Sequence, residues 1–328
     1  MERKRSIFQA IAAAAGFLVL IFDSSLAQQG ARSGLELCIK TVIPSLFPFF
    51  VLSALLTSSF SGCGHGFTYQ FSKMMGIPRA AASLLVPAFL GGYPVGAKCV
   101  WDLYRRKQVS QTEAERLLAF SSNAGPSFLF GVVSGFFPKK SMVWLLWLIH
   151  ILSALLTAVS IPSVNSGRYS EQSQKQIKEE TIILSAAKAM AMVCCWVILF
   201  RTILTFLNAW FLWIFPDWFS VLLTGILELT NGCCALLQIS DADLRFVLCA
   251  CMLSLGGVCV LLQTASVTKG LSLKGYVSGK IIQTVFSFLL SSALTAEHGF
   301  FYLICIPFFV LILRKIQNTY SNPGIIPV

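Results

Sequence analysis

Long apolar runs separated by short polar connections make up most of the chain, and only some of these runs are continuous. The continuous ones include residues 7–22, 142–161 and 186–214. A helix needs roughly 20 predominantly apolar residues to cross a bilayer, and these runs are close to that length. The pattern therefore predicts an all-α polytopic membrane protein with about eight spans.

The clearest interruption lies in the apolar run at residues 80–100. Gly91, Gly92 and Pro94 stand together there, and Lys98 follows shortly afterwards. Glycine and proline are the two poorest helix formers, and a lysine at membrane depth costs roughly 2.5–3.5 kcal/mol on insertion scales. Irregular backbone at that depth is tolerated only inside protein or beside water. This stretch therefore predicts a re-entrant hairpin that lines a polar pathway.

A second interruption follows in the next apolar run, at residues 117–137. Ser110 and Glu113 form a capping-box pattern, which predicts that a helix begins at Gln111 and continues into the membrane. Residues 121–127 then read Ser-Ser-Asn-Ala-Gly-Pro-Ser. Such a cluster of polar, small and helix-breaking residues predicts an unwound turn with free backbone amides and carbonyls.

The second half of the chain repeats this order of elements, in pattern more than in identity. The run at 221–237 is interrupted around Glu228, and the run at 246–264 carries Gly256 and Gly257. Each half therefore contains a span, an interrupted hairpin, a broken span and a plain span. We expect the two halves to be structural repeats.

The basic residues concentrate in connections that can all lie on one side of the membrane. These connections are residues 59–79, 101–116, 162–188 and 268–280. Lysine and arginine favour the cytoplasmic side. With the N-terminus inside, the first hairpin must enter from the cytoplasm and the second from outside. The prediction is an inverted repeat with two re-entrant hairpins and two broken helices around a solute site near mid-membrane.

These patterns divide the chain into five regions. They are residues 1–34, an N-terminal span and candidate signal anchor; 35–161, the first repeat; 162–188, a cytoplasmic linker; 189–297, the second repeat; and 298–328, a C-terminal span and tail. Small residues near Ala27 make cleavage of the first region an open alternative.

Composition supports the membrane assignment and excludes other classes of protein. The chain is 56% hydrophobic and 12% charged, and its mean hydropathy is +0.75. Soluble domains hold about 25% charged residues. The net charge of +11 would suggest nucleic acid, but its place in the short connections fits the positive-inside rule instead. We therefore expect the lipid bilayer, and no nucleic acid, as a partner.

Neither a metal site nor an enzyme is predicted. The 11 cysteines form no C-x-x-C pattern and fall mostly within apolar runs, as small buried side chains do. The chain has no H-E-x-x-H motif and no aspartate pair inside a span. We therefore expect no cofactor, apart from a coupling proton or cation whose identity the sequence leaves open.

Two charges predicted at membrane depth are the first candidates for solute binding. Lys98 would attract an anionic group, and Glu228 would take a proton or a coupling cation. A plainer interpretation places Lys98 near the interface with its stem along apolar surface, and pairs Glu228 with Arg201. Both interpretations stay open.

The unwound turn around Asn123 is the next candidate. The half-helix that begins at Pro126 would present free amides that favour negative charge. The alternative is that these small and polar residues only hold helices together. The full set of predicted substrate-binding residues is Gly91, Gly92, Tyr93, Pro94, Lys98, Ser122, Asn123, Gly125, Ser127, Glu228, Thr230, Asn231, Gly257 and Gln263.

With these residues in view, the chain resembles the YlbJ/SpoVV sporulation integral membrane proteins, within the wider group that carries the nucleoside-recognition Gate domain. The resemblance covers roughly residues 35–290. It rests on Gly-Gly-Tyr-Pro-Val-Gly-Ala-Lys at 91–98, on Glu-Arg-Leu-Leu-Ala-Phe-Ser-Ser-Asn-Ala-Gly-Pro-Ser-Phe at 115–128, and on Gly-Ile-Leu-Glu-Leu-Thr-Asn-Gly at 225–232.

The resemblance implies a fold, a location and a function. Residues 80–100 would pair with 117–137, and residues 218–238 with 246–267. The protein would be a multi-pass membrane protein of the outer forespore membrane that moves dipicolinate, a small organic anion, from the mother cell during sporulation. Two alternatives remain: a nucleoside-type solute carrier of the same fold, and a sporulation membrane scaffold that transports nothing. The oligomeric state, the coupling ion and the direction of transport are left open.

Overall fold

The computed structural model describes residues 2–60, 70, 73, 75–163 and 181–321, and the regular structure in those ranges is helical throughout. The α-helices are α1 (Glu2–Phe22), α2 (Ser24–Leu37), α3 (Ile43–Phe60), α4 (Leu85–Leu90), α5 (Val95–Arg105), α6 (Gln111–Ser121), α7 (Pro126–Gly131), α8 (Lys140–Ser160), α9 (Ile182–Trp210), α10 (Asp217–Leu227), α11 (Leu229–Ala235), α12 (Ala242–Leu255), α13 (Gly257–Val267), α14 (Lys274–Thr295) and α15 (Gly299–Ser321). A π-helical segment (Cys38–Val42) joins α2 to α3, and short 3₁₀ segments occupy Arg79–Leu84, Val133–Phe136, Leu212–Ile214 and Leu236–Gln238.

Five helical stretches in the described ranges are long and apolar enough to cross a membrane, which confirms an all-α polytopic membrane protein. They are Ser24–Leu52, Lys140–Ser160, Ile182–Trp210, Ala242–Val267 and Lys274–Thr295. The helices of the predicted interruptions, α4 to α7 and α10 to α11, have only 6 to 11 residues each. Eleven residues of helix extend about 16 Å, roughly half of the hydrocarbon core, so none of these crosses a bilayer alone.

The interruptions of the first half lie where the sequence predicts them. The helices α4 and α5 are separated by residues 91–94 and form a unit that we call hairpin 1. The helix α6 begins at Gln111 with the predicted capping box: Glu113 N donates to Ser110 Oγ at 3.1 Å, and Ser110 N donates to Glu113 Oε2 at 2.7 Å. The backbone is then extended at Ser122 and at Gly125 before α7 begins. The helices α6 and α7 together form broken helix 1.

The second half has the same two units. The helices α10 and α11 meet at Glu228, whose extended backbone (φ −146°, ψ 121°) interrupts them, and they form hairpin 2. The helices α12 and α13 meet at Gly256 and Gly257, and they form broken helix 2. Both glycines have positive φ (74° and 78°), which side chains rarely adopt and which glycine takes at no steric cost. The orientation of the two halves relative to a bilayer stays a prediction.

The boundaries of the predicted cytoplasmic connections differ in two places. The helix α9 begins at Ile182, inside the predicted linker 162–188, and residues 164–180 of that linker lie outside the described residues. Much of the predicted connection at 59–79 lies outside them too. The predicted loop at 268–280 was wrong in its second part, because α14 begins at Lys274 and Lys280 is buried within it.

Close packing of α14 on α6 explains that error. Gly275 and Gly279 face the backbone of α6, where an added Cβ would lie 2.7 Å from the carbonyl oxygen of Glu115 and 2.2 Å from that of Ala119. Small residues at this spacing let two membrane helices approach closely. One face of the start of α14, including Gly279 and Lys280, is therefore buried against protein, although the composition of this stretch resembles that of a surface loop.

The buried core joins the two halves rather than dividing between them. Leu129 of broken helix 1 belongs to the same apolar cluster as Leu236, which follows hairpin 2, and Leu253 of broken helix 2. The helices α2 and α9 make a second close contact, in which Gly30 and Gly34 of α2 pack on the backbone of α9. Residues next to the interruptions in both halves thus belong to one buried apolar core.

Candidate functional site

The four interruptions lie against one another in pairs. In the first half, an added Cβ at Gly125 would lie 2.8 Å from the amide nitrogen of Gly92. In the second half, an added Cβ at Gly257 would lie 2.8 Å from the carbonyl oxygen of Ile226, just before the break in hairpin 2. Each hairpin therefore contacts the broken helix of its own half at the point where both backbones are irregular.

Tyr93 connects the two pairs. Its hydroxyl donates a hydrogen bond of 2.8 Å to the carbonyl oxygen of Leu253, in the last turn of α12. An added Cβ at Gly256 would lie 3.3 Å from the Tyr93 ring. The tip of hairpin 1 thus rests on the break of broken helix 2.

A cavity of about 40 Å³ lies where these elements meet. Its lining comes from α3, α9 and all four interrupted units: Leu46, Phe50, Gly92, Tyr93, Ala124, Gly125, Ser127, Phe128, Val193, Val197, Glu228, Leu229, Thr230, Val260 and Gln263. Seven of the predicted substrate-binding residues are in this set: Gly92, Tyr93, Gly125, Ser127, Glu228, Thr230 and Gln263. The lining contains one carboxylate and no lysine or arginine.

Glu228 caps the short helix that follows it. Its carboxylate accepts hydrogen bonds from the amide of Thr230 at 2.9 Å and from the amide and side chain of Asn231 at 2.6 and 2.8 Å. Arg201 donates to Asn231 Oδ1 at 2.9 Å, so it reaches Glu228 through the asparagine. Among the described residues Glu228 makes no direct ion pair, and the predicted alternative of pairing with Arg201 is therefore replaced by this relay.

Lys98 lies outside the cavity lining. Its side chain is half-buried, and its ammonium donates to Ser185 Oγ of α9 at 2.9 Å. Gly91, Pro94 and Gly257 are also absent from the lining, although they belong to the irregular backbone around it. The structure therefore separates the predicted site residues into those that line the cavity and those that shape the elements around it.

Ser122 and Asn123 lie in a second buried polar cluster, beside the cavity. Asn123 is 1% exposed, and its Nδ2 donates to the carbonyl oxygens of Ala88 and Phe120 at 3.2 and 2.8 Å. The ammonium of Lys280 donates to the carbonyl oxygen of Ser122. The unwound turn of broken helix 1 is thus held by side chains from other elements.

His150 of α8 connects this turn to the second half. Its Nε2 accepts a hydrogen bond of 3.0 Å from the amide of Ala124, and its Nδ1 lies 3.3 Å from Ser254 Oγ. Because Nε2 accepts, the ring proton belongs on Nδ1, which then donates to the serine. Ser254 in turn shares a hydrogen bond with Ser287 of α14.

Sequence reasoning missed Lys280, Gln283 and His150. A signal for the first two exists: Lys280, Gln283, Ser287 and Ser291 recur at steps of three or four residues within an apolar segment. That spacing places them on one face of a helix, and a polar face in a membrane helix is normally buried in protein. All four are buried here. His150 carries the same kind of signal, because His150, Ser153, Thr157 and Ser160 also recur at steps of three or four residues within an apolar segment, and all four are buried.

Comparison with known proteins supports a relation to one family. Over 159 residues, or 46% of this chain, the sequence is 33% identical to the sporulation integral membrane protein YlbJ of Bacillus subtilis (strain 168). The match spans 37% of the length of that relative. No family model matches the chain, and no solved structure matches it. The predicted relation to the YlbJ family is confirmed, while membership of the Gate-domain group stays a prediction.

Proposed function

Because the chain is related to a sporulation integral membrane protein, we propose that it is a membrane carrier of a small polar organic solute, with dipicolinate as that solute. One observation carries the proposal: four interruptions in otherwise apolar helices meet around one cavity that both halves of the chain line. Irregular backbone of this kind is found in membrane carriers at the solute site. Residence in the outer forespore membrane is part of the proposal.

The size of the cavity adds a requirement. A volume of about 40 Å³ has room for roughly two or three water molecules, whereas sites for organic ligands usually occupy about 300 Å³ or more. The cavity of the described conformation is therefore too small for such a solute, and the proposal requires it to enlarge on binding. The bond from Tyr93 to the carbonyl of Leu253 joins hairpin 1 to broken helix 2, so a movement of hairpin 1 away from that helix would break it.

The positive charge that would attract an anion comes from a residue next to the cavity, and not from the cavity lining itself. Dipicolinate is a planar dianion, and the cavity lining itself contains no cation. The ammonium of Lys280, however, lies 5.3 Å from the centroid of the Tyr93 ring, which forms part of the lining. A charge at this distance acts strongly in a medium of low dielectric constant. The three hydrogen bonds that Glu228 accepts also disperse the only negative charge in the lining.

Uptake by proteoliposomes tests the proposal. We expect radiolabelled dipicolinate to accumulate in vesicles that contain the purified chain and not in empty ones. Gln263→Ala should lower the initial rate about tenfold, equivalent to the loss of roughly 1.4 kcal/mol of binding, because Gln263 lines the cavity. Gln238→Ala is the matched control, since Gln238 is exposed and outside the lining. An absence of uptake, or an equal effect of both substitutions, would refute the proposal.

A neutral solute is the second candidate, and the composition of the lining favours it. Ser127, Thr230 and Gln263 supply uncharged donors and acceptors, as recognition of a nucleoside would require. Competition distinguishes the two solutes: excess uridine should leave dipicolinate uptake unchanged if the solute is the anion. If uridine itself is taken up and dipicolinate does not compete, the carrier is of the nucleoside type.

A further inference from the structure

A buried lysine holds the unwound turn of broken helix 1. Lys280 of α14 is only 2% exposed. Its ammonium donates to the backbone carbonyl of Ser122, to Gln283 Oε1 at 2.7 Å, and more weakly to Asn123 Oδ1 at 3.5 Å. Three oxygen atoms from two elements therefore surround one nitrogen atom.

The hydrogen bonds of the neighbouring amides fix which of their atoms face the lysine. Asn123 Nδ2 is used by two backbone carbonyls, and Gln283 Nε2 donates to Asn123 Oδ1 at 3.0 Å. Both amide oxygens are therefore turned toward Lys280. An ammonium has three N–H donors and no lone pair, so it matches three acceptors, whereas a neutral amine would direct its lone pair at an oxygen. The arrangement therefore matches the three donors of a charged lysine.

This charge has no acidic partner in the described part of the chain. Its stabilisation comes from dipoles instead. Ser122 follows the last residue of α6, a helix of 11 residues, and its carbonyl lies at the negative end of that helix. Carbonyl oxygens at the end of a broken helix are the ligands that sodium-driven carriers use for Na⁺. Lys280 therefore occupies a cation site whose ligands are all uncharged oxygens.

We propose that the ammonium of Lys280 takes the place of a coupling cation. It fills the monovalent-cation site of the unwound turn, so that the protein binds no free Na⁺ there. The meaning of this site for transport rests on the proposed carrier function. The turn itself continues from Asn123 to Gly125, which lines the cavity. A cation at one end of the turn therefore fixes the backbone that forms part of the solute site.

The same turn holds spare oxygen ligands. The hydroxyl groups of Ser121 and Ser122 are buried and make no hydrogen bond within the described residues. A free Na⁺ normally needs more oxygens than the three that an ammonium needs, and these hydroxyls with a water molecule could complete its shell. The site should accordingly accept a small free cation once the lysine side chain is removed.

The test measures cation binding by the purified full-length chain. Thermal unfolding is compared in NaCl and in N-methyl-D-glucamine chloride at equal ionic strength, together with binding of ²²Na⁺. Wild type should bind no ²²Na⁺ and unfold at the same temperature in both salts. Lys280→Ala should bind about one ²²Na⁺ per chain, and NaCl should raise its unfolding temperature by about 3 °C in a saturable manner.

Two variants control for volume and for general effects of salt. Lys280→Met fills most of the same space without a charge, so it should bind no ²²Na⁺. Lys274→Ala removes an exposed lysine from the same helix and should behave as wild type. The proposal is overturned if wild type itself is stabilised by Na⁺, or if Lys280→Met responds as Lys280→Ala does. It is also overturned if Lys280→Ala responds to none of Na⁺, K⁺ and methylammonium, or remains unfolded in all three.

This experiment is independent of transport. A sodium response that is confined to Lys280→Ala, in a protein that moves neither dipicolinate nor uridine, would leave the cation site in place and remove the carrier function. Uptake by wild type without any cation response in Lys280→Ala would support the carrier function and refute the cation site.

Discussion

The unwound turns of the two broken helices are built in different ways. Broken helix 1 is extended over several residues, and its polar groups are bonded by side chains from elsewhere, namely Lys280, Gln283 and His150. Broken helix 2 turns within Gly256 and Gly257 alone, through positive φ angles. The hairpins also differ: hairpin 2 is capped by its own Glu228, while hairpin 1 has no capping side chain at the start of α5.

This difference shows that two helices can be interrupted at matching positions and still be stabilised there by different interactions. Side chains of α8 and α14 bond the unwound backbone of the first half, whereas the breaks of the second half are made by Gly256, Gly257 and the cap of Glu228. We infer that substitutions at Lys280 and Gln283 act mainly on the first half, whereas a substitution at His150 acts on both. The following predictions test this asymmetry.

The largest effect should come from filling the contact between hairpin 1 and broken helix 1. An added Cβ at Gly96 would lie 1.8 Å from the carbonyl oxygen of Ser121, so Gly96→Ala should destabilise the protein by about 3 kcal/mol. In the second half, the three atoms nearest to an added Cβ at Gly225 all belong to the flexible side chain of Met252, and Gly225→Ala should cost less than about 1 kcal/mol. Thermal unfolding in detergent measures both. Equal losses would mean that the two contacts are equivalent.

The next effect should come from the cap of hairpin 2. Glu228→Ala leaves two buried amides, those of Thr230 and Asn231, without their acceptor and should cost about 2 kcal/mol. Glu228→Gln keeps one acceptor oxygen and should cost about half as much. The same unfolding assay applies. An unfolding temperature of Glu228→Ala equal to that of wild type would show that the cap is not required.

A smaller effect is expected at the link between the two turns. His150→Leu removes the acceptor of the Ala124 amide and should cost about 1.5 kcal/mol. Combined with Ser254→Ala in a double-mutant cycle, it should give a coupling free energy of about 0.5 kcal/mol or more. Additive losses would mean that the two turns are independent of each other.

The smallest effect should follow Tyr93→Phe. This substitution removes one hydrogen bond, to the carbonyl of Leu253, keeps the ring, and should cost about 1 kcal/mol. Hydrogen exchange of the Gly256 amide region should rise in the variant, because the hairpin tip is then less firmly attached. Unchanged exchange there would indicate that the ring contact alone holds the tip in place.

Much of the architecture could be predicted because helix breakers give local signals. Glycine, proline and the Ser110 capping box mark where helices end and begin whatever surrounds them, and each predicted interruption lies within a residue or two of the observed one. Long apolar runs likewise identify most of the membrane-crossing helices from their length alone.

The partners of the polar side chains could not be predicted in the same way. Lys98 and Lys280 both follow glycine-rich segments, yet Lys98 is half-buried and bonds to Ser185, whereas Lys280 is fully buried and bonds to Ser122. Their positions depend on which helix packs against which, a relation between residues more than 80 positions apart. The periodic polar faces of α14 and α8 were the local signs of the buried cluster.

The acceptor for Tyr93 is a main-chain oxygen, so no exchange of the side chain at position 253 removes it. This bond therefore requires a tyrosine at position 93, but it sets no requirement on the side chain at position 253. Suppressors of a Tyr93→Phe defect should consequently arise by reshaping the backbone near residue 256, and not by replacing Leu253.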